Sequence, residues 1–285
     1  MNILITGCNG QLGSEIRLLE PSYSQHTFFN TDVEELDITD QNAVEDYVTT
    51  HQIDGIVNCA AFTAVDLSES EREKCTTLNT MAPAYLATAI EKRGGWIIQV
   101  STDYVFNGKS FRPYVEDDTP SPDSVYGSTK LAAELGVSKF CRRAMIIRTA
   151  WLYSSFGKNF VKTMLRLGKE KPSIGVVFDQ VGTPTYAHDL ASAIMTIIGQ
   201  GVQPGVFHYT NEGVASWYDF TKAIHRIAGI TTCDVRPLHT SEYPTAATRP
   251  PYSILDKTKI KQAYGLEIPH WEDSLRQCLS ILQQQ

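Results

Sequence analysis

The sequence predicts an α/β protein: a doubly wound parallel sheet with helices on both faces, joined to a smaller mixed α/β part. Three observations predict it. Short apolar runs alternate with helix-like stretches through the first half, a glycine triplet separates the first run from the first helix, and the alternation changes after Trp151. Strands that are apolar on both faces are typical of parallel sheets covered on both sides.

Five apolar runs are the predicted strands of this sheet. Each run is apolar on both faces, and the residues between successive runs are numerous enough to contain crossover helices. The runs are residues 2–6, 27–30, 53–60, 96–101 and 144–149, and the candidate crossover helices are residues 11–19, 41–51, 81–92 and 125–139.

The first strand leads directly into a glycine loop, ITGCNGQLGSEI, at residues 5–16. Gly7, Gly10 and Gly13 form a GxxGxxG triplet between a strand and a helix, the context in which such a triplet indicates a dinucleotide site. Glycines permit the tight turn, the close approach of a pyrophosphate and the packing of the helix, whose free N–H groups attract phosphate. We therefore predict a Rossmann-type dinucleotide-binding fold.

Two aspartates follow at the distance along the chain where such sites bind the adenosine half of a cofactor. Asp32 ends the second predicted strand, where a carboxylate accepts hydrogen bonds from ribose hydroxyls and repels a 2′-phosphate. An ordinary turn aspartate is the alternative interpretation. Asp37 is placed against the adenine amino group. We expect NADH or NADPH as the cofactor, with NADH favoured.

Hydroxyl groups and a lysine supply the candidate chemistry. Ser101 and Thr102 lie at the carboxyl end of the fourth predicted strand, which faces the ligand crevice in open α/β sheets. Tyr126 and Lys130, in VYGSTKLAAE, project from one face of a predicted helix. Considered without the other motifs, Tyr126 and Lys130 also fit two neighbouring side chains on the exposed surface of a helix. Because a nearby ammonium favours phenolate, we expect Lys130 to lower the Tyr126 pKa and make the phenol a usable proton donor and acceptor.

The second half has denser turn residues, as in GTPTY, GQGVQPG and TRPPY, and shorter predicted strands. We assign residues 1–150 to a dinucleotide-binding domain, to which some later segments return, and residues 151–285 mainly to substrate binding. Residues 109–124, rich in proline and acidic residues, are predicted to form a long exposed loop. Three amphipathic segments lie in the second half, at residues 187–198, 217–228 and 271–282.

The composition excludes several function classes. The chain of 285 residues carries a net charge of −7 and has no long basic run, so we expect no nucleic-acid partner. No run of 18 uncharged apolar residues predicts a membrane span, and the N-terminal MNILITG predicts a strand rather than a signal peptide. Six scattered cysteines without a CxxC pair fit a reducing cytosol, where we expect the protein to act.

The glycine triplet, the NCAA run after the third strand, the STD run and the YxxxK pair together resemble the extended short-chain dehydrogenase/reductase family. Within that family, the chain is similar along nearly its whole length to reductases of the 4-keto group of dTDP-4-dehydro-6-deoxy-L-mannose, which yield dTDP-L-rhamnose. The runs that carry this resemblance are AAFTAVDLSE, STDYVF, VYGSTKLAAE, RTAWLY, NFVKTML, DQVGTPT and TRPP.

The resemblance implies three groups of site residues. The catalytic set is Thr102, Tyr126 and Lys130. The cofactor residues, from the pyrophosphate through the adenine to the nicotinamide, are Gly10, Gln11, Leu12, Asp37, Ile38, Ala61, Phe62 and Thr63, joined by Tyr126 and by Lys130 on the nicotinamide ribose. The substrate residues are Thr102, Asp103 and Trp151. We add Arg249, because a guanidinium suits a diphosphate, although a plain surface arginine is the alternative.

Two other functions stay open, and a third is disfavoured. Dehydratase relatives carry Thr-Asp-Glu where this chain has Thr102, Asp103 and Tyr104, so the acid that removes water is missing. A sugar-nucleotide 4-epimerase shares the scaffold. A non-catalytic dinucleotide-binding subunit, resembling the regulatory subunit of methionine adenosyltransferase, is the alternative outside enzymes. The Tyr126–Lys130 pair favours an enzyme, because a sensor needs no proton transfer.

We expect no metal site. Some relatives dimerise through a magnesium ion held by acidic residues, and Glu15 matches one of those positions. The second position is His188 in this chain, and imidazole suits softer metals than magnesium. No spacing of cysteine and histidine suggests zinc. Dimerisation through magnesium is therefore in doubt, and a homodimer stays an open expectation.

Overall fold

The computed structural model describes residues 1–284. Its central sheet consists of six parallel strands, β1 (Asn2–Thr6), β2 (Thr27–Thr31), β3 (Gly55–Asn58), β4 (Trp96–Thr102), β5 (Ala144–Thr149) and β10 (Gly205–His208). Their order across the sheet is β10-β5-β4-β3-β1-β2. The strand order reverses between β1 and β3, which makes this point the expected ligand crevice. The predicted doubly wound class is confirmed.

The α-helices within residues 1–284 connect or cover these strands. They are α1 (Gln11–Leu19), α2 (Gln41–Thr50), α3 (Val65–Ser68), α4 (Arg72–Thr76), α5 (Ala82–Lys92), α6 (Val125–Phe140), α7 (Phe160–Glu170), α8 (Ala187–Gln200), α9 (Trp217–Ile227), α10 (Thr258–Tyr264) and α11 (Trp271–Leu282). A π-helical turn (Thr77–Met81) joins α4 to α5. In the part of the chain that the structure describes, no helix has the length and apolarity needed to span a bilayer.

Successive residues of a strand point to opposite faces of the sheet, and both faces of this sheet are covered by helices. On one face, α1 and α8 pack with Ile3 and Ile5 of β1. On the other face, α2 and α5 pack with Leu4 of β1 and Ile56 of β3. Burying each such side chain contributes roughly 1.5–3 kcal/mol. The continuous apolar runs of the sequence are thus explained by two layers of helices.

The second half forms a smaller unit from short strands and three helices. Its strand pairs are β6 (Leu152–Tyr153) with β9 (Thr185–Tyr186), β7 (Ser173–Val177) with β12 (Asp234–Leu238), and β8 (Val181–Gly182) with β11 (Ala215–Ser216). Helices α7, α9 and α11 enclose a core that includes Tyr153, Phe220 and Leu275. Two later elements, α8 and β10, lie against the first half, on α1 and β5 respectively.

Two expectations about local structure are wrong. The predicted strand over residues 53–60 is only Gly55–Asn58, because the Ile53 N–H still bonds to the Val48 carbonyl of α2 and the chain bends after Asn58. The predicted exposed loop over residues 109–124 is anchored in its middle. Tyr114 is buried, stacks on Phe106 with ring centroids 4.1 Å apart, and pairs with Leu255.

Candidate active site

A cavity of about 990 Å³ lies along the carboxyl ends of β1, β3, β4 and β5. It is lined from both halves of the chain, because the loop after β5 and the segment around residue 249 border it. Most of the predicted site residues line it: Gly7, Gly10, Gln11, Leu12, Asp32, Asp37, Ile38, Ala61, Thr63, Thr102, Asp103, Tyr126, Lys130, Trp151 and Arg249.

The glycine loop has the geometry of a phosphate cradle. Gly7 has a φ of +64°, and a Cβ built there would lie 2.8 Å from the Cα of Ala60. Gly10 precedes α1 and supplies no side-chain cap, so the first N–H groups of the helix are open to a ligand. Gly13 lies outside the cavity lining. A Cβ there would lie 2.6 Å from the Cα of Cys8, so this glycine lets the helix pack on the loop.

The two predicted adenosine-side carboxylates lie at one end of the cavity and are fixed by local hydrogen bonds. Asp32 accepts the Asn9 N–H at 3.1 Å and the Val33 N–H at 2.9 Å. Asp37 accepts the Thr39 hydroxyl at 2.6 Å, and this hydrogen bond lowers the pKa of the Asp37 carboxyl. These bonds leave a lone pair on each Asp32 oxygen, and they leave Asp37 Oδ2 unused because both Thr39 donors bond to Asp37 Oδ1, so both side chains retain acceptor capacity for a ligand.

Phe62 is the predicted cofactor residue, besides Gly13, that does not line the cavity. Its N–H donates to Asn79 Oδ1 at 2.7 Å, and its carbonyl accepts from Asn79 Nδ2 at 3.0 Å. Asn79 is buried in the π-helical turn. The Phe62 backbone is thereby fixed between Ala61 and Thr63, which do line the cavity.

The predicted catalytic side chains converge on the cavity from two elements. Thr102 ends β4, and its hydroxyl donates to Asp103 Oδ1 at 3.0 Å. Helix α6 begins after Ser124, whose Oγ accepts the Gly127 N–H at 3.1 Å and thus caps the helix. Tyr126 follows the cap, so this local signal places the phenol at the cavity, and Lys130 lies one turn later.

The expected direction of the Tyr126 pKa is wrong. Burial of the phenol raises its pKa well above the ordinary value, with hydrogen bonding from Thr102 acting in the opposite direction. Burial also lowers the pKa of Lys130 to about 8. The Lys130 ammonium donates to the Val100 carbonyl at 2.7 Å instead. Desolvation therefore sets the direction, Thr102 rather than Lys130 is the group that opposes it, and Tyr126 stays protonated at neutral pH.

The two candidate hydroxyls of β4 have different partners. Ser101 Oγ donates to Glu134 Oε1 at 2.5 Å, and both side chains are buried. Thr102 instead bonds to Asp103 and lies beside Tyr126. Tyr104 packs edge-to-face on Tyr126, with ring centroids 5.4 Å apart. Of the two hydroxyls, the Thr102 hydroxyl is therefore the one placed to share a ligand atom with the phenol.

Asp103 is buried, and its Oδ2 has no hydrogen-bond partner within residues 1–284. Burial raises the pKa of Asp103 to about 6 from an ordinary 3.8. The native state therefore holds this proton more tightly than the unfolded chain does. The stability that this provides is full below about pH 4 and is lost as pH rises through about 6.

We predict that Asp103→Asn increases the free energy of unfolding relative to the parent more at pH 8 than at pH 4.5. The expected difference is on the order of 2 kcal/mol, because the amide never ionises. Urea unfolding at the two pH values measures it, with Asp46→Asn on the exposed face of α2 as the control. An equal effect of Asp103→Asn at both pH values would show that the carboxyl titrates normally.

The end of the cavity that is predicted to bind the substrate is formed by residues after β5. Trp151 has a φ of +49°, a conformation that costs a non-glycine residue energy and is typical of functional sites. Its ring stacks on Trp217, with centroids 3.5 Å apart and planes 7° apart. Arg249 Nη2 donates to Asp66 Oδ2 at 2.8 Å, which ties the segment around residue 249 to α3. Arg249 is therefore not a free surface arginine.

Several lining residues were not among the predicted site residues. Trp217 begins α9, and no spacing in the sequence connects it to Trp151. Lys158 and Asn159 line the cavity near the glycine loop, where Asn159 Nδ2 donates to Gln11 Oε1 at 3.0 Å. Lys74 adds a further cation. Only tertiary packing brings these side chains to the site.

Glu15 and His188, the two positions considered for a metal, are in hydrogen-bond contact with each other. His188 Nδ1 lies 3.1 Å from Glu15 Oε2, and Ser154 Oγ donates to Glu15 Oε1 at 2.6 Å. The hydrogen bond to Glu15 raises the pKa of His188. Within residues 1–284, no cluster of three or more His, Cys, Asp or Glu side chains is arranged to hold a metal ion.

Comparison with known protein families tests the resemblance that the motifs predict. The family model described as "RmlD substrate binding domain" matches residues 1–284. The chain belongs to this family. Membership in the RmlD family, together with the similarities below, confirms the resemblance inferred from the motifs of both halves.

Relatives of this RmlD-family chain are similar over nearly their whole length. A dTDP-4-dehydrorhamnose reductase of Aggregatibacter actinomycetemcomitans is 38% identical over 284 residues, which covers 96% of this chain and 97% of the relative. The crystal structure of a dTDP-4-dehydrorhamnose reductase from Clostridium acetobutylicum is 42% identical with a TM-score of 0.95, covering 99% of this chain and 100% of the other. That from Bacillus anthracis, solved in complex with NADP, is 37% identical with a TM-score of 0.94, covering 98% and 99%.

Proposed function

We propose that the protein uses NADH or NADPH to reduce the 4-keto group of dTDP-4-dehydro-6-deoxy-L-mannose, yielding dTDP-L-rhamnose. The observation that carries this proposal is the cavity itself. It brings Thr102, Tyr126 and Lys130 together between the glycine loop and the Trp151 wall. The substrate is supported by the names of the relatives, and the cofactor by the NADP complex of the relative from Bacillus anthracis.

The residues at the glycine loop fit a dinucleotide, because Cβ atoms at Gly7 and Gly13 would clash with backbone atoms of Ala60 and Cys8, so only glycines allow the loop to keep this shape. The open N–H groups at Gln11 and Leu12 would hold the pyrophosphate. Asp37 and Ile38 would hold the adenosine half, and Ala61 and Thr63 the nicotinamide half. When bound, the reduced nicotinamide supplies a hydride to the ketone carbon.

Tyr126 is the general acid of this proposal. Its raised pKa keeps the phenol protonated at neutral pH, so it can give a proton to the C4 oxygen as negative charge develops there. The Thr102 hydroxyl, which donates to Asp103 in this structure, would turn to donate its hydrogen to the same oxygen. Lys130, largely protonated below its pKa of about 8, would stabilise the phenolate that remains and hold the nicotinamide ribose.

The substrate groups have matching partners at the cavity. Trp151, supported by Trp217, presents a flat apolar surface that suits the methyl side of a deoxysugar. Arg249 keeps donors beyond the one that bonds Asp66, and its Nε has no partner within the described residues. A diphosphate is the group that such a partly paired guanidinium would bind.

A spectrophotometric assay tests this function against its alternatives. We expect steady oxidation of added NADH with dTDP-4-dehydro-6-deoxy-L-mannose and no turnover without added cofactor. Protein that purifies with tightly bound NAD and interconverts sugars without net oxidation would indicate a 4-epimerase. Dinucleotide binding without turnover of any nucleotide 4-keto sugar would indicate a regulatory subunit.

Asp32→Asn is expected to reduce the preference for NADH over NADPH about tenfold. The reason is that a carboxylate next to the adenosine ribose repels a 2′-phosphate, whereas the amide does not. The ratio of kcat/KM for the two cofactors measures this preference, and Glu34→Gln, an exposed change of equal charge nearby, is the control. A parent protein that prefers NADPH would reject the proposed role of Asp32.

The remaining assignments are part of this proposal. Residues 1–150 would bind the dinucleotide, and residues 151–285 would mainly bind the nucleotide sugar, with α8 and β10 returning to the first half. All six cysteines are unpaired thiols, which supports action in a reducing cytosol. A homodimer stays a prediction.

A further inference from the structure

We propose that Glu134 is a positioning residue for the reduction. Held by Arg148 and Ser101, its carboxylate fixes the first turns of α6, and with them Tyr126 and Lys130, against the end of β4. This inference rests on the proposed function for its catalytic consequence and on the buried contacts of Glu134 for its structural basis.

Glu134 lies in a fully enclosed polar network. Arg148 of β5 donates to it through Nε at 3.0 Å and through Nη2 at 2.7 Å, and both side chains are about 4% exposed. Ser101 of β4 donates to the same carboxylate. One carboxylate of α6 is thereby bonded to two neighbouring strands of the sheet at once.

The Arg148 guanidinium is also fixed by contacts other than those with Glu134. Its guanidinium lies 5.1 Å from the centre of the Phe106 ring, and its Nη1 lies 3.4 Å from His208 Nε2. His208 donates from Nδ1 to the Tyr114 carbonyl at 3.1 Å. Burial and Arg148 together lower the pKa of His208 to about 3, so the imidazole is neutral. Glu134 is therefore the charge partner of Arg148.

The network reaches the catalytic groups through both α6 and β4. Tyr126, Lys130 and Glu134 are spaced four residues apart, so they follow one face of α6. The Lys130 ammonium bonds to the Val100 carbonyl, and Glu134 bonds to the next residue, Ser101. These two bonds join α6 to the strand residues immediately before Thr102. The register between Thr102 and Tyr126 is therefore set by this pair of bonds.

This buried ion pair fixes the position of α6 more than it stabilises the folded protein. A buried ion pair gains little over apolar packing because both charges lose their hydration, yet its directional bonds define one position of the helix. Proton transfer is sensitive to that position, since a misplacement of about 1 Å can cost about 100-fold in rate. Apolar contacts of α6, such as that of Val137, tolerate small sliding in a way that the bidentate pair does not.

The test compares Glu134→Gln with Glu91→Gln. Glu91 of α5 also forms a Glu–Arg pair, with Arg142, but the Arg142 side chain is 88% exposed and the pair lies at the opposite end of α6 from Tyr126. We expect Glu134→Gln to reduce kcat about 10- to 100-fold with both KM values within threefold of the parent, and Glu91→Gln to leave kcat unchanged. A Glu134→Gln enzyme with parental kcat would overturn the proposal.

The pH profile adds a readout that loss of stability alone would not move. The charged or titratable groups that act on Lys130 are Glu134 of α6, Cys75 of α4 and Cys59 after β3. Glu134 raises the pKa of Lys130, so its neutralisation should shift the alkaline limb of kcat/KM to lower pH. An unshifted limb in Glu134→Gln would contradict the coupling of Glu134 to Lys130.

Hydrogen exchange separates this inference from the proposed function. If the parent does not turn over the nucleotide sugar, the proposed function fails, but residues 125–131 should still exchange at least tenfold faster in Glu134→Gln than in Glu91→Gln. Equal exchange would refute the positioning role. Should Glu134→Gln not fold, Ser101→Ala, which keeps the ion pair, is expected to lower kcat about three- to tenfold and to speed exchange at the same residues; parental values for both would refute the role.

Discussion

Tyr126→Phe is expected to lower kcat by about 10²–10⁴-fold, because it removes the proposed general acid and keeps the ring. Burial keeps the phenol protonated at neutral pH, and Thr102 lies within hydrogen-bonding reach of it. The ring itself packs on Tyr104, so phenylalanine preserves the aromatic contact. The affinity for NADH and the melting temperature should stay close to those of the parent.

Steady-state kinetics with saturating NADH measure this loss. Tyr47→Phe is a matched control, since Tyr47 is a half-buried helical tyrosine outside the cavity and its hydroxyl makes no hydrogen bond among the described residues. Parental kcat in Tyr126→Phe would remove Tyr126 from the mechanism. A loss in both variants would point to a general effect of tyrosine replacement.

Gly7→Ala is expected to weaken NADH binding at least 100-fold and to destabilise the protein by about 2–5 kcal/mol. Two effects combine at this position. The φ of +64° is strained for alanine, and the added Cβ would lie 2.8 Å from backbone atoms of Ala60, two residues after β3. Those atoms cannot move without disturbing the strand, so the glycine loop must shift away from the pyrophosphate position.

Gly94→Ala separates backbone strain from crowding. Gly94 has a φ of +68°, close to that of Gly7, but a Cβ there would meet no atom within 4 Å. We expect the Gly94→Ala variant to lose only about 1–2 kcal/mol in its free energy of unfolding and to bind NADH as tightly as the parent does. Fluorescence titration and urea unfolding of both variants give the comparison. Equal cofactor affinity in the two variants would contradict the cradle role of Gly7.

Local pattern predicted the elements that border the proposed cofactor site. The sequence periodicity places β1, α1 and β5 at the bounds found in the structure, because apolar runs and an adjacent glycine turn are local signals. β10 is a four-residue strand whose place in the sheet depends on pairing with β5, nearly sixty residues earlier. No local pattern distinguishes such a strand from the other short strands of the second half.

The candidate site was predicted where residue type and spacing carry chemistry. Tyr126 and Lys130 both line the cavity, because residues four apart project from the same face of a helix. The direction of the Tyr126 pKa was not predictable, because desolvation depends on what covers the phenol. Trp217 and Arg148 were missed because each acts through a partner distant in sequence, Trp151 and Glu134 respectively.

The most direct test of the central claim follows one hydrogen atom. NADH deuterated at the transferable position of the nicotinamide should be oxidised with dTDP-4-dehydro-6-deoxy-L-mannose, and the product should be examined by mass spectrometry and proton NMR. The proposed reduction predicts one deuterium in dTDP-L-rhamnose, at C4, for each NADH consumed. An unlabelled product, or NADH that is not consumed while the sugar changes, would contradict it.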